Sequence, residues 1–546
     1  EKERPDKKSI AKSGVSLKYT VNALCEQNKL LDYLESFIMY HNSAYKICAK
    51  NHQFIGVNKV IESFTNREEQ KGKLGVFWHT QGSGKSYSMV FFTRKVFRKF
   101  KGNFTFLIIT DRTDLNTQIY RNFVDMGACK EADTSLPNDS SELRKVLATN
   151  KKYIFTLIHK FRYDKGKEYP VLSDRDDIIV IVDEAHRTQY ASLAQNMRAG
   201  LPNAQFIAFT GTPLLGKEKK TNAWFGEYVS EYNFAQAIAD GATVPLFYDK
   251  RLPEMLIAND DLNEDLAEIL EDENLDEQQQ QKLENKFSKE MEVIKRDDRL
   301  ETIAEDIAYH FPRRGYLGKG MVICVDKYTA VKMYDKVNKH VKVQLKTLRK
   351  EHKGALTNKK KEELRKVIDF LNKLEMAVVI SEDANEKDTF EAKGLNIQFH
   401  RDKLNSLDAN QNTIEDNFKD EDHSLQLVFV CAMWLTGFDA PTVSTLYLDK
   451  PMRNHTLMQT IARANRVAPP IYGVEKHNGL VVDYYNVFRN IKRALADYGN
   501  GNDSDKDQNP EGDDPVQDFS QLYVLLDETI EACTAFCVAH KIDLEA

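Results

Sequence analysis

The chain has 546 residues, 41% of them apolar, 10% aromatic and 29% charged, with 77 Lys and Arg against 83 Asp and Glu for a net charge of −6. That length exceeds the roughly 250–300 residues over which one hydrophobic core keeps growing, so at least two domains are expected, and the composition excludes a disordered or collagen-like chain. The slightly acidic balance excludes a uniformly basic surface, but not a local stripe of Lys and Arg against phosphates.

Seven cysteines without a C-x-x-C pair argue against a disulfide framework and a structural zinc site, and a reducing cytoplasm is the expected compartment. No apolar run approaches the roughly 20 residues of a membrane helix, so no membrane is expected among the partners. The opening Glu1-Lys2-Glu3-Arg4-Pro5-Asp6-Lys7-Lys8 has neither an initiator Met nor a signal peptide, the pattern expected of a fragment of a longer protein.

Taken in chain order, apolar runs rich in β-formers alternate with helical stretches, the mark of βαβ units around parallel sheets. The first set of predicted strands is Leu74–Trp78, Phe104–Ile109, Tyr153–Ile158, Ile178–Val182 and Phe206–Phe209. A second set is Met321–Val325, Ala377–Ile380, Leu427–Val430, Thr445–Leu448 and Leu480–Val482. The expected fold is α/β: two tandem RecA-like parallel-sheet domains with helical insertions and a C-terminal helical segment.

Boundaries follow from the composition shifts. Residues 1–40 read as a linker to a domain outside the chain, 41–245 as the first domain, 246–300 as a connecting segment holding the acidic stretch Asp260–Glu277, and 301–498 as the second domain. Gly499–Pro515 reads as an exposed linker and 516–546 as the start of a helical region. Lys339–Lys366 is Lys-rich and helix-compatible, equally suited to a solvated face or to DNA.

The chemistry begins at His79-Thr80-Gln81-Gly82-Ser83-Gly84-Lys85-Ser86, after one predicted strand and before the helical run Tyr87–Phe97, the context a phosphate-binding loop requires. Thr80, Gly82, Ser83 and Gly84 supply backbone to the phosphates, Lys85 a point charge to the β and γ phosphates, and Ser86 a hydroxyl for magnesium. His79 replaces the first Gly of the general pattern. Asp183-Glu184-Ala185-His186 closes the run Ile178–Val182, where a buried strand presents carboxylates at the sheet's carboxyl edge. Asp183 is suited to magnesium and Glu184 to activating the attacking water. Together these pieces define an ATPase or GTPase.

The remaining segments resemble the superfamily 2 helicases and translocases. Phe209-Thr210-Gly211-Thr212-Pro213 is similar to the family's coupling motif, Met433–Pro441 to its motif V, and Gln459-Thr460-Ile461-Ala462-Arg463-Ala464-Asn465-Arg466 to its motif VI. The resemblance implies coupling roles for Thr210, Thr212 and Gln459 and nucleotide contacts for Gly437 and Asp439. It also makes Arg463 and Arg466, three apart on a predicted helix and hence on one face, arginine fingers for the γ-phosphate.

Lys46–Gln53, Trp78–Ser86, Thr110–Leu115 and Gln459–Val467 more closely resemble the restriction (R, motor) subunits of type I restriction-modification enzymes. That resemblance implies ATP read by Gln53, with Mg2+ as cofactor, and translocation of double-stranded DNA toward the complex. It further implies methyltransferase and specificity subunits as partners. DNA contacts are expected from Thr110, Arg112, Thr156, His159 and Lys327. No convincing Asp and Glu-x-Lys nuclease set is found, so nuclease activity is not expected of these residues. Another superfamily 2 motor (a type III restriction subunit, a helicase or a remodeller) and a nucleotide-switched assembly module are the alternatives.

Overall fold

The computed structural model describes residues 21, 25–111, 113–163, 169–183, 190–211, 224–251, 288–383, 385–435, 438–452, 454–487, 516–518, 526 and 529–537. Two compact units divide between Asn233 and Phe234. Each is built on a seven-stranded sheet in which every strand pairing among the described residues is parallel.

In the first unit an antiparallel hairpin, β1 (Ile38–His41) and β2 (Tyr45–Cys48), leads into helix α1 (Asn51–Thr65). The sheet then takes β3 (Lys73–His79), β4 (Thr105–Thr110), β5 (Thr134–Ser135), β6 (Tyr153–Leu157), β7 (Ile178–Asp183), β8 (Gln205–Thr210) and β9 (Tyr228–Tyr232) in the order β5-β6-β4-β7-β8-β3-β9. The central strands β4 (Thr-Phe-Leu-Ile-Ile-Thr) and β7 (Ile-Ile-Val-Ile-Val-Asp) are buried along their whole length. A parallel strand covered on both faces has no solvent side to alternate toward, so its sequence is continuously apolar. Helix α2 (Lys85–Lys99) buries Met89, Val90, Phe91, Phe92 and Val96 and ends on Arg98 and Lys99, where the helix dipole favours cations. Its phenylalanines join Phe37, Phe64, Phe77 and Phe106 in one core, each such ring contributing about 1.5–3 kcal/mol on burial.

In the second unit β10 (Leu246–Lys250), β11 (Lys319–Cys324), β12 (Glu375–Val379), β13 (Leu425–Val430), β14 (Val443–Asp449), β15 (Gly479–Asp483) and β16 (Val516–Asp518) are ordered β12-β13-β11-β14-β15-β10-β16. Three boundary expectations change. Residues 246–250 are not connecting segment: β10 lies inside the second sheet, between β15 and β16. Residues 516–518 are strand rather than helix, the described helical stretch coming later at 529–537. Within 1–40, a helix at Gln27–Ser36 precedes Phe37, which is fully buried in the first core, so that part is built into the unit rather than linking away from it. The acidic stretch and the loop at 499–515 fall outside the described residues.

Between β11 and β12 the chain makes a long helical hairpin. Helix α3 (Asp297–His310) packs against α4 (Lys327–Gly354), which is capped by the Asp326 carboxylate and returns as α5 (Asn358–Lys373). Glu301 on α3 receives Lys336 Nζ at 2.8 Å, Lys339 Nζ at 2.6 Å and His340 Nε2 at 3.0 Å. Hydrogen bonds from Lys336 and then Lys339 hold its carboxyl down to about 2. A carboxylate whose pKa is lower folded than unfolded stabilises the fold at any pH above the unfolded value, and that contribution disappears as pH falls through the folded one. Wild type is therefore expected to exceed Glu301→Gln in stability by a constant margin down to about pH 5, with the two converging between about 4.5 and 2. Thermal unfolding at a series of pH values checks it, and a margin independent of pH would refute the ion-pair account.

Candidate functional site

The loop between β3 and α2 has the conformation its glycines were expected to allow: Gly82 sits at φ +86° and Gly84 at φ +83°, in the left-handed region. Its carbonyls are tied back by α1. The His52 ring donates from Nε2 to Ser83 O at 2.8 Å, and Gln53 Nε2 donates to Gly84 O at 3.0 Å. A trans peptide sets its N–H opposite its C=O, so these two bonds turn the Gly84 and Lys85 N–H groups away from α1, toward the side on which an anion would lie. Ser83 Oγ closes the loop on Thr80 O at 2.6 Å, and Thr80 N donates to Tyr232 O at 2.9 Å. Ser86 and Lys85 follow, half-buried, in the first turn of α2.

Gln53 differs from expectation in what it does first. It is buried, its Oε1 accepting from Lys50 N at 2.8 Å while Nε2 holds Gly84, which makes it a positioner of the loop; one N–H and one lone pair remain for a base. His52 was missed altogether. Its ring stacks on Tyr232 with centroids 4.0 Å apart and planes 8° apart, and its place beside Gln53 was the available signal. His79, in place of the usual Gly, is a core residue: Nε2 meets Ser230 Oγ at 2.8 Å, and burial, then His52 and Lys85, push its pKa well below the ordinary histidine value.

The sheet order brings the acidic strand to this loop. β7 stands two places from β3, with β8 between, so their carboxyl ends are about 10 Å apart, enough for phosphates and a hydrated ion. Asp183 is buried at the end of β7, in register with Phe209, and Thr210 is in register with Trp78. Past it, a Cβ built on Gly211 would stand 3.0 Å from Lys85 Nζ and 2.9 Å from Gln81 Cγ, while Gly211 O accepts from Trp78 Nε1 at 3.2 Å. Thus Gln53, Thr80, Gly82, Ser83, Gly84, Lys85, Ser86, Asp183 and Thr210 gather at one sheet edge; Glu184 and Thr212 lie outside the described residues. The hydroxyl of Ser86 and the carboxylate of Asp183 are hard oxygen donors of the kind magnesium takes.

In the second unit the expected helix over Gln459–Arg466 stops early. Helix α6 (Asn454–Ile461) carries Gln459, buried, but Arg463 falls in the turn beyond it and Arg466 in an isolated β-bridge after that turn, so they do not share a helix face. The reason is tertiary: Thr243 bridges Arg466 antiparallel, and Val244 N bonds Asn465 O at 2.7 Å, pulling the chain into extended form. Arg463 is buried and donates inward, Nε to Leu435 O at 3.2 Å and Nη1 to Phe438 O, thereby shaping the motif V loop. In that loop Trp434 holds φ +66°, rare for a bulky residue, with its ring stacked on Phe438 at 4.3 Å and 3°. Arg466 remains partly exposed, 3.4 Å from Asp439; Gly437 lies outside the described residues. Beside it Lys476 donates to Pro441 O at 2.9 Å and Val443 O at 2.6 Å, and burial, then Arg466, hold its pKa down to about 7.

Of the residues expected to touch DNA, Thr110 and Thr156 are corrected. Both are fully buried within strands β4 and β6, so neither hydroxyl reaches a phosphate. His159 is exposed on the turn after β6, and Lys327 opens α4 with its Nζ 2.6 Å from Asp383. Arg112 is outside the described residues.

A parallel sheet whose glycine loop runs into a helix, with an aspartate closing a strand two places away and a second such sheet following in the chain, defines the class: a P-loop ATPase with tandem RecA-like domains. The family model for the SWI2/SNF2 ATPase matches residues 52–281, and that for type I restriction enzyme subunit R domain 3 matches residues 317–486. The chain belongs to the family of type I restriction enzyme R subunits. It is 34% identical over 508 residues to the HindI type I endonuclease subunit of Haemophilus influenzae, covering 89% of this chain and 44% of that one. It is 32% identical over 492 residues to the MjaIXP endonuclease subunit of Methanocaldococcus jannaschii, covering 88% and 42%. A fragment structure assigned to an HsdR subunit of Vibrio vulnificus YJ016 aligns with TM-score 0.49 and 17% identity, over 92% of this chain and 72% of that one. The chain thus spans less than half the length of these curated relatives.

Proposed function

We infer that the chain is the ATP-driven, double-stranded DNA-translocating motor of a type I restriction R subunit, working with methyltransferase and specificity subunits and with a nuclease supplied from outside these residues. The observation that supports it most is the approach of the Lys85 amine to Gly211, because it joins the phosphate-binding loop to the strand end carrying the coupling motif Thr210–Thr212.

ATP phosphates take the loop N–H groups and the Lys85 amine, and Gln53 offers its spare donor and acceptor to adenine. Ser86 and Asp183 would hold a magnesium ion, which when bound neutralises developing charge on the phosphates. Glu184 takes the proton of the attacking water. Arg466, with Asp439 as its neighbour in the nucleotide-contacting segment that includes Gly437, spreads charge on the γ-phosphate, and Arg463 acts through the loop it braces. Thr210, Thr212 and Gln459 transmit the nucleotide state to the DNA grip, in which Arg112, His159 and Lys327 meet phosphates without reading bases.

The test is ATP turnover with and without duplex DNA over a salt series, alongside triplex-displacement and strand-displacement assays. Stimulation that falls steeply with salt, and triplex displacement without strand separation, are the expected outcomes. Turnover indifferent to duplex DNA would overturn the motor reading, and strand separation would make the chain a helicase instead.

A further inference from the structure

The outer half of the α4–α5 hairpin has a charge pattern that the ATPase does not use. Between Lys339 and Lys366 stand eleven Lys or Arg and three Glu, in a chain whose total is −6. The inner cations of α4 are neutralised: Lys336 pairs with Asp297 and Glu301, and Lys339 and His340 with Glu301. Farther along α4 the pairing stops among the described residues, and on α5 it is limited to long exposed contacts of Lys360, Arg365 and Lys366 with nearby acids. Lys342, Lys346, Lys350 and Lys353 are exposed, and among the described residues none of them makes an ion pair. Arg349, on the same side, donates to the neutral Asn372 Oδ1 at 2.8 Å.

At 100° per residue, Lys342, Lys346, Arg349 and Lys353 fall within about 60° of one another round the helix, with Lys350 flanking, so they form one stripe about 16 Å long. The apolar side of α4, with Val341 and Leu348, is turned elsewhere and packs in the core with Leu364 and Leu371 of α5. The partner helix adds to the charge against its own interest. The first turn of α5 holds Lys359, Lys360 and Lys361 and no acidic residue, although the positive end of the helix dipole favours carboxylates there. Of these, Lys360 has an acid nearby, Glu363 at 3.7 Å, while Lys359 and Lys361 make no ion pair among the described residues. Cations repeated along one face, left without counter-charges and placed where they oppose the helix dipole, are arranged for an external polyanion rather than for the fold.

We propose that this stripe, Lys342, Lys346, Arg349, Lys350 and Lys353 with Lys359 and Lys361 of α5, is a second DNA-contact surface that binds the phosphate backbone of duplex DNA outside the residues assigned to the motor's grip. The occupant is a duplex because a stripe of about 16 Å matches the axial length of roughly five phosphates on one strand, and all the groups are charge donors that read no base. This rests on the reading of the chain as a DNA motor, and it gives the moving duplex a contact that does not depend on the nucleotide state.

The experiment compares the whole chain with a variant carrying Lys342→Gln, Lys346→Gln, Lys350→Gln and Lys353→Gln, changes that keep helix propensity and touch nothing buried. Equilibrium binding of a duplex is measured between about 50 and 200 mM salt. Four lost phosphate contacts should reduce the log–log salt slope by about 3 to 4, so that wild type loses about 10²-fold more affinity than the variant over that range. ATP turnover without DNA should be equal in the two proteins. An unchanged slope overturns the proposal, and if it comes with a lower unfolding temperature at low salt, the stripe faces an acidic protein segment instead. Duplex stimulation of turnover is read in parallel. Its absence together with a changed slope would remove the motor reading while sustaining the stripe, and its presence with an unchanged slope does the reverse.

Discussion

Replacing Arg466 with Ala is expected to lower duplex-stimulated ATP turnover by at least about 10³-fold, the range an arginine finger commands, while the unfolding temperature stays close to that of wild type. The side chain is partly exposed, and at 3.4 Å its ion pair with Asp439 is longer than a charge-assisted hydrogen bond, so losing it is expected to cost little stability. Arg463→Ala should behave in the opposite sense. It leaves the buried carbonyls of Leu435 and Phe438 without their donor, a cost of about 1–3 kcal/mol for each orphaned group, so the main effect is a lower unfolding temperature. Its turnover falls only through distortion of the motif V loop. Steady-state turnover and thermal unfolding of both variants separate the roles. Arg466→Ala turning over as fast as wild type would remove the finger assignment, and equal loss of stability in the two would contradict the difference in burial.

The second large effect lies at Lys85. Lys85→Ala removes a positioned cation beside the loop, and loss of a single preorganised donor at a developing charge costs about 10²–10³ in turnover. Gly211→Ala tests the same contact from the opposite side. Its Cβ would sit 3.0 Å from Lys85 Nζ and 2.9 Å from Gln81 Cγ, so it pushes the amine off its position while leaving the charge present. A fall of roughly 10-fold in turnover, with smaller change in stability than in activity, is expected from a misplacement of this size. Turnover in Gly211→Ala equal to wild type would show that the amine's approach to β8 has no part in hydrolysis.

Ten of the sheet strands were legible because a parallel strand buried on both faces must be apolar throughout, and runs such as Phe104–Ile109 and Ile178–Val182 admit few other readings. The phosphate loop was legible for a similar reason, since Gly82 and Gly84 stand where left-handed backbone is needed and a strand and a helix flank them. β5, β9, β10 and β16 were not legible. They are short or carry polar residues, as in Tyr-Val-Ser-Glu-Tyr and Leu-Phe-Tyr-Asp-Lys, and only the neighbouring strand makes them strands.

The amino-acid order by itself determined that two α/β sheets follow each other and that the first carries a phosphate-binding loop and an acidic strand end, because local periodicity and backbone freedom are written residue by residue. What tertiary structure alone decided is which side chains face outward. Helix spacing placed Arg463 and Arg466 side by side, but pairing of Arg466 with Thr243 ended the helix and separated a buried brace from an accessible charge. The family resemblance likewise gave Thr110 and Thr156 to DNA, where neighbouring strands cover them, and composition left the Lys-rich hairpin undecided until the ion pairs at the inner end of α4 showed how bare its outer end is. Burial and charge neutralisation depend on partners distant in the chain, and no local pattern encodes them.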